Sequence, residues 1–179
     1  HLSIRRQRQM CIRDRSLCNA CMPNSRLKSL KALVIIPDLC RGCQRCVLHC
    51  SFQRYETHAP SRAAIHVVRH EPEGRLVDEP VICVQCGICL SACPVPGAMV
   101  RNKVGAVVVK EEKCTGCGLC VMSCPYGMVK LDPITMKASK CDLCGGEPAC
   151  VGHCPYGALA YLEPEQAAYL RRISVVGRQ

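Results

Sequence analysis

The apolar positions of this chain fall into short runs rather than long periodic stretches. Runs of this length, rich in β-branched side chains, predict short β-strands, which we expect to form hairpins. Four such runs are 33–36 (LVII), 65–68 (IHVV), 106–109 (AVVV) and 128–131 (MVKL). One helix is predicted over residues 164–172, with Pro164 and Glu165 in its first turn and two arginines in its last. That charge order suits the helix dipole.

From its residues, we expect no membrane span or export signal in the N-terminal part of the chain. Its longest uncharged apolar run, 32–36, has five residues, too few for a secretory signal core or a membrane span. We therefore expect no membrane span and a cytoplasmic location. Residues 5–15 (RRQRQMCIRDR) are polar and aperiodic. We expect residues 1–24 to be a non-native or disordered tail, with Met22 as a plausible natural start.

Cysteines dominate the space between the apolar runs. Sixteen of the nineteen cysteines fall into four blocks, and a proline (Pro94, Pro125, Pro155) follows the last cysteine of blocks two, three and four. The blocks are Cys40-x2-Cys43-x2-Cys46-x3-Cys50, Cys83-x2-Cys86-x2-Cys89-x3-Cys93, Cys114-x2-Cys117-x2-Cys120-x3-Cys124 and Cys141-x2-Cys144-x5-Cys150-x3-Cys154.

This spacing is typical of [4Fe-4S] ligation, in which three cysteines of a block bind one cluster and the fourth binds its neighbour. Sixteen cysteines taken four at a time predict four [4Fe-4S] clusters. Structural zinc uses two Cys-x2-Cys pairs, so the third cysteine of each block would be surplus for zinc. Block four, with its longer x5 step, could instead hold zinc or a [3Fe-4S] centre. Outside the blocks, Cys11, Cys18 and Cys21 could form part of a further zinc or cluster site, without a clear fourth ligand.

Two pairings of the blocks are open. A sequential scheme pairs block one with two and three with four, whereas a nested scheme pairs two with three and one with four; we favour nesting. The nested scheme defines four ligand sets: set 1, Cys40, Cys43, Cys46 and Cys154; set 2, Cys83, Cys86, Cys89 and Cys124; set 3, Cys114, Cys117, Cys120 and Cys93; set 4, Cys141, Cys144, Cys150 and Cys50.

Composition supports a protein that depends on metal for its stability. The hydrophobic fraction of 49% includes the cysteines, and only one Phe, five Tyr and no Trp remain for a core. Metal can supply folding free energy to such a chain, so we expect the apoprotein to be largely unfolded. A secreted disulfide scaffold fits poorly, because the cysteine count is odd and the chain has 179 residues.

The net charge of +10 invites a nucleic-acid interpretation. Four oxidised clusters with their thiolates would add about −8, however, so the basic residues are better explained as partial compensation for buried anions. We therefore expect no nucleic-acid partner, and a zinc-based nucleic-acid module is the weakest alternative. Lys113 and Lys140 each precede a block's first cysteine. They could tune a reduction potential, although solvated turn lysines are the plainer interpretation.

No residue pattern predicts substrate chemistry. The chain has no dinucleotide fingerprint and no P-loop, so we expect an electron-transfer protein without catalytic residues. His49 and His153 each precede the fourth cysteine of a block, which favours a structural role beside a cluster over catalysis.

On its sixteen cysteines, and especially on the segment from Lys140 to Pro155, the chain resembles the four-cluster ferredoxin-type subunits of molybdenum and tungsten oxidoreductases. Among them it looks most like the small subunits that accompany tungsten aldehyde oxidoreductases. In that family nested ligation is the rule. Block one departs by having Ser51 in place of proline.

The resemblance implies an α+β fold of tandem bacterial-ferredoxin-like modules, with short hairpins and short helices around the clusters. We expect residues 25–75 plus 138–175 to form an outer cluster-pair module and 76–137 an inner one. The implied function is electron relay between a pterin-dependent catalytic subunit and a second electron carrier or subunit. A free-standing polyferredoxin is the alternative.

Overall fold

The computed structural model describes residues 30–176, in which short strands and short helices alternate around the cysteine loops. The described strands are β1 (Ala32–Ile35), β2 (His66–His70), β3 (Val77–Val81), β4 (Met99–Arg101), β5 (Val107–Val109), β6 (Lys130–Leu131), β7 (Ala138–Ser139) and β8 (Leu159–Leu162). The described α-helices are α1 (Arg45–Tyr55), α2 (Ile88–Ser91), α3 (Leu119–Met122), α4 (Ala149–Gly152) and α5 (Pro164–Val176). The N-terminal tail over 1–24, with Cys11, Cys18 and Cys21, lies outside the described residues.

Of the four two-stranded sheets within residues 30–176, three are local hairpins. β2 pairs with β3, β4 with β5, and β6 with β7, all antiparallel. Each of these hairpins overlaps one of the runs predicted from the β-branched pattern. The strand predictions at 65–68 and 106–109 are confirmed to within one residue at the start, whereas only 130–131 of the run 128–131 forms a strand.

The fourth sheet joins the two ends of the described chain. β1 pairs antiparallel with β8, in a register that runs from Ala32 opposite Leu162 to Ile35 opposite Leu159. The run 33–36 does form a strand, but the expectation that it belongs to a local hairpin is wrong. Both strands carry buried side chains, Val34 and Leu159 among them. The ladder therefore closes the molecule by bringing block one next to block four.

Two small hydrophobic clusters, both containing cysteines, make up the core. The larger contains Leu33, Val47, Ile65, Ala106 and Leu159 with Cys46, Cys50 and Cys150. The smaller contains Met99, Val107, Val129 and Ala138 with Cys89 and Cys120. Because Ala106 lies in the larger cluster, the apolar contacts cross the predicted boundary at residue 76. The division into an outer and an inner module stays a prediction.

The length of the helix in each block depends on whether proline comes directly after the fourth cysteine. α2, α3 and α4 span four residues each and end just before the fourth cysteine and its proline, which cannot continue a helix. α1 continues to Tyr55 for eleven residues because Ser51 replaces the proline. Buried Ser51 donates to the carbonyl of Leu48 at 2.9 Å and accepts from the amide of Ala59 at 3.1 Å.

The C-terminal helix was predicted too short. α5 runs from Pro164 to Val176, because no proline or glycine interrupts residues 173–176. Arg171 and Arg172 therefore lie inside the helix rather than in its last turn, and their expected match to the helix dipole is wrong. No helix within residues 30–176 combines the length and apolarity that crossing a bilayer requires.

Candidate iron–sulfur site

Each cysteine block ends in a helix that carries its third cysteine. The residue before the helix is left-handed in the first three blocks: Gln44 with φ 57°, Gly87 with φ 91° and Gly118 with φ 78°. This turn lets the loop that carries the first two cysteines fold back over the helix start. Glycine adopts such a conformation without the steric cost that a Cβ imposes, which explains the recurring glycines at this position.

The two middle blocks form a pair of cavities, each lined by four thiols. Cys114, Cys117 and Cys120 line a cavity of about 350 Å³ together with Cys93 from the preceding block. The reciprocal cavity of about 310 Å³ is lined by Cys83, Cys86 and Cys89 together with Cys124. The structure thus brings together the members of set 3 and the members of set 2.

The outer blocks meet in the same way. A cavity of about 360 Å³ is lined by Cys141, Cys144 and Cys150 of block four and by Cys50 of block one, the members of set 4. In set 1, burial and then repulsion from Cys154, Cys40 and Cys43 raise the pKa of the Cys46 thiol to about 11. Cys154 therefore lies within electrostatic reach of block one, where the nested scheme puts it.

Backbone amides point at cysteine sulfurs in each of the three cavities, and in the cavity of set 4 they point at both Cys50 and Cys141, the latter from Leu143 at 3.5 Å. Cys50 Sγ accepts from the Ala64 amide at 3.3 Å, Cys124 Sγ from the Met128 amide at 3.3 Å, and Cys114 Sγ from the Ala138 amide at 3.4 Å. Such bonds stabilise a thiolate, and hydrogen bonds to the sulfurs of an iron–sulfur cluster are among the factors that set its reduction potential.

The electrostatics of the thiols indicate that they need a metal-bearing partner. Burial and neighbouring thiols raise the pKa of Cys141 to about 12, and burial followed by repulsion from Cys141, Cys50, Cys144 and Cys46 raises the pKa of Cys150 further still. These thiols therefore favour the protonated form when no metal is bound. Metal binding overcomes this by displacing the protons.

The sets of cysteine ligands fit an iron–sulfur cluster better than a single metal ion. All sixteen block cysteines are free thiols, which are the ligands that iron–sulfur clusters use. Within residues 30–176, no group of three or more His, Cys, Asp or Glu side chains is arranged to hold one metal ion. The thiols of the described blocks surround cavities, which agrees with a multi-iron cofactor.

Thiols of different sets lie within electrostatic reach of one another. Cys46 of set 1 raises the pKa of Cys150 in set 4, Cys83 of set 2 raises the pKa of Cys141 in set 4, and Cys89 of set 2 raises the pKa of Cys120 in set 3. Sets 1, 2 and 3 each have one exposed cysteine, namely Cys43, Cys86 and Cys117.

Lys140 is not the solvated turn residue that its sequence position suggested. Its side chain is 2% exposed and lines the cavity of set 2. Its Nζ donates to Gln85 Oε1 at 2.9 Å, to the Val107 carbonyl at 2.7 Å and to the Cys141 carbonyl at 2.8 Å. Lys113, at the equivalent place in block three, is exposed, as the plainer interpretation predicted.

The two histidines beside fourth cysteines stack on each other. The rings of His49 and His153 are 3.5 Å apart between centroids and nearly parallel, at 6°. They join α1 to the end of α4 beside sets 1 and 4, which agrees with the structural role expected of them.

Sequence reasoning missed Gln85 and β8. Gln85 accepts from Lys140 and from the Val107 amide, and its own amide nitrogen donates to the Cys141 carbonyl at 2.9 Å. A lone glutamine between two cysteines has no pattern that would reveal such a role. For β8, the apolar sequence LAYL at 159–162 was a usable signal.

Three protein-family models match this chain over the cysteine blocks. A 4Fe-4S dicluster domain matches residues 82–128, a second 4Fe-4S dicluster domain matches 106–155, and a 4Fe-4S binding domain matches 37–53. Together these matches include all four cysteine blocks. The chain therefore contains ferredoxin-like 4Fe-4S domains and binds several [4Fe-4S] clusters.

Curated relatives carry related names. The chain is 40% identical over 118 residues to the aliphatic sulfonate oxidoreductase, polyferredoxin-like subunit, of Pyrococcus furiosus, covering 65% of this chain and 66% of that protein. It is 36% identical over 113 residues to a protein of Archaeoglobus fulgidus named as a tetrathionate reductase subunit, covering 62% of this chain and 53% of that protein.

Among solved structures, the active site complex BamBC of benzoyl coenzyme A reductase in complex with zinc contains a similar chain. The identity is 25% and the TM-score is 0.42, and the match covers 83% of this chain and 90% of that one.

Proposed function

We propose that this protein relays electrons through four [4Fe-4S] clusters, as the iron–sulfur subunit of a multi-subunit molybdopterin or tungstopterin oxidoreductase. The observation that carries the proposal is the grouping of thiols from separate blocks around shared cavities. We assign the four clusters to sets 1 to 4, and no catalytic residue to this chain.

The protein's own part is to hold, space and insulate the clusters. A bound [4Fe-4S] cluster accepts and donates electrons one at a time. The thiols of two separate blocks hold each one, and the apolar lining of the cavities, from residues such as Met99, Val109 and Ile65, keeps water away. Amide donors to Cys50, Cys124 and Cys114 stabilise the charged ligands.

We place the four sets in the order 1, 4, 2, 3, because their thiols interact electrostatically in that sequence. Sets 1 and 3 are then the terminal sets; Cys43 and Cys117 in them are exposed, as is Cys86 of set 2. Electrons would then enter at one end and leave at the other, with set 4 and set 2 between them. A relay of this kind needs one partner at each end: the catalytic subunit and a second electron carrier or subunit.

Support for the partner class comes from the relatives and from the resemblance. The Pyrococcus furiosus and Archaeoglobus fulgidus relatives are named as subunits of oxidoreductases. The pterin-dependent partner rests on the resemblance to the electron-transfer subunits of molybdenum and tungsten enzymes. Because the chain spans 66% and 53% of these relatives' lengths, its assembly with such a partner is part of the proposal.

Anaerobic purification of the tagged chain from its native cells tests both halves of this proposal. We expect about sixteen irons and as many acid-labile sulfides per chain, and a co-purifying larger subunit that contains molybdenum or tungsten. About eight irons would contradict the four-cluster assignment. A fully loaded chain that elutes alone, without either metal, would instead establish the free polyferredoxin.

A further inference from the structure

Lys140 brings a buried positive charge between two ligand sets. Its ammonium lines the cavity of set 2 and, through the carbonyl of Cys141, contacts the backbone of a set 4 ligand. The carbonyl of Lys140 itself accepts a hydrogen bond from Arg54. Side chain and backbone are therefore both held in place, so the position of the charge is fixed.

The hydrogen bonds of Lys140 indicate its protonation state. An ammonium has three N–H donors and no acceptor, and the three partners of Nζ are all oxygen acceptors: Gln85 Oε1 and the carbonyls of Val107 and Cys141. A neutral amine would direct its lone pair at one of these oxygens. The geometry therefore suits the charged form.

None of these three acceptors is a carboxylate. A buried charge is costly unless an opposite charge is close, and neutral oxygens satisfy the hydrogen bonds of Lys140 without neutralising it. The negative charge that the cavities would contain is that of clusters and their thiolates, about −2 per oxidised cluster. Cluster reduction adds a further negative charge, which a nearby fixed cation favours.

We propose that Lys140 raises the reduction potentials of the clusters held by sets 2 and 4, so that the interior of the relay retains electrons more readily than it would without this cation. This inference rests on the proposed four-cluster assignment. Lys140 is a positioning charge that acts on the clusters through space, and its effect is on their potentials and not on their ligation.

The test compares Lys140→Met with Lys113→Met. Both lysines directly precede the first cysteine of a block, but Lys113 is exposed and water screens its charge. Each protein is purified anaerobically, its iron and sulfide are counted, and its clusters are titrated with reductant while electron paramagnetic resonance spectra are recorded.

In Lys140→Met we expect two of the one-electron steps to shift so that, at a fixed solution potential, the ratio of reduced to oxidised cluster falls about tenfold, which corresponds to about 59 mV. In Lys113→Met the ratio should change less than about twofold. Unchanged potentials in a fully loaded Lys140→Met protein would overturn the inference.

A second variant covers the case in which Lys140→Met fails to fold. Gln85→Glu keeps the lysine but replaces a neutral acceptor with a carboxylate, so it cancels most of the field of the ammonium. We expect a shift in the same direction; an unchanged potential in a loaded Gln85→Glu protein would count against the inference. Failure of the parent protein to bind about sixteen irons would instead reject the proposed function.

Discussion

The two middle cysteine blocks and the two outer ones both bring thiols from separate loops around shared cavities, but their local structures differ. Blocks two and three are near copies: each has glycine before a four-residue helix that ends next to a Cys-Pro pair. Blocks one and four differ from each other and from this pattern, although block four keeps the four-residue helix and the Cys-Pro pair. Block one extends into an eleven-residue helix, and block four makes a loop in which Cys144 has φ 48° and Gly145 has φ 70°.

This difference separates blocks that meet through nearby sequence from blocks that meet through long-range contacts. The middle blocks lie close together in the chain and are joined by the β4–β5 hairpin, so each can deliver its fourth cysteine to the other over a short distance. The outer blocks are far apart in the chain and meet through the β1–β8 ladder and the stacked rings of His49 and His153. Their cavity is therefore the one whose formation depends on the closure of the whole molecule.

The largest expected effect concerns the pairing of the blocks. Cys50→Ala and Cys144→Ala should each remove one cluster, about four irons, and the double variant should also lose only about four, because both thiols belong to set 4. The same non-additivity should hold for Cys93→Ala with Cys117→Ala in set 3. Iron and sulfide analysis of anaerobically purified protein measures it.

Cys50→Ala combined with Cys117→Ala is the control, since these thiols belong to different clusters under either pairing and should lose about eight irons. A loss of about eight irons in the Cys50–Cys144 double variant would support sequential pairing and contradict the nested assignment.

A smaller effect should distinguish block one from the other blocks. Ser51→Pro would remove a backbone donor from the interior of α1 and should destabilise the protein by about 3 kcal/mol. Ser51→Ala, which loses only the hydroxyl bonds to Leu48 and Ala59, should cost about 1 kcal/mol. Anaerobic denaturant titration, followed by the visible absorption of the clusters, measures both.

Pro125→Ala provides the comparison in a middle block, where α3 has already ended; it should change stability by less than about 1 kcal/mol. Equal effects of proline and alanine at position 51 would mean that the continuation of α1 does not matter for stability.

An effect smaller than that of Ser51→Pro is expected at the ion pair between Arg62 and Asp132. Arg62 contacts Asp132 at 2.7 Å, and the Asp132 side chain is 3% exposed. Burial alone would raise the pKa of Asp132, but hydrogen bonds from Arg62 and from the amides of Thr135 and Ile134 outweigh burial and hold it at about 2, below the usual 3.8. The ionised form is therefore favoured by folding.

A depressed pKa means that this stabilisation is present above pH 3.8 and is lost as the pH falls toward 2. We expect wild type to exceed Asp132→Asn by about 2 kcal/mol at pH 7 and pH 5, and by less at pH 3. Denaturant titrations at the three pH values measure this difference. Glu163→Gln, which breaks the exposed pair with Lys31 at 4.0 Å, is the control and should have little effect on stability. If the stability difference between wild type and Asp132→Asn grew as the pH fell, the stabilising role of ionised Asp132 would be contradicted.

Prediction from the sequence was most accurate for features that depend on residues close together in the chain. The x2-x2-x3 spacing sets which cysteines share a loop and which one projects from the next helical turn, and proline after the fourth cysteine limits helix length. It was least accurate at Lys140, because a lysine beside Cys141 looks the same in sequence whether it is buried or solvated. The partner of residues 33–36 was also missed, since a strand of four residues can pair with any other exposed edge.

The sequence by itself determined the cofactor chemistry, because the number and spacing of thiols depend only on covalent connectivity and short-range backbone geometry. Only the tertiary structure decided which distant thiols meet and where a buried cation lies between them. Those features depend on contacts between segments far apart in the chain, above all the β1–β8 ladder, and no local pattern encodes their geometry.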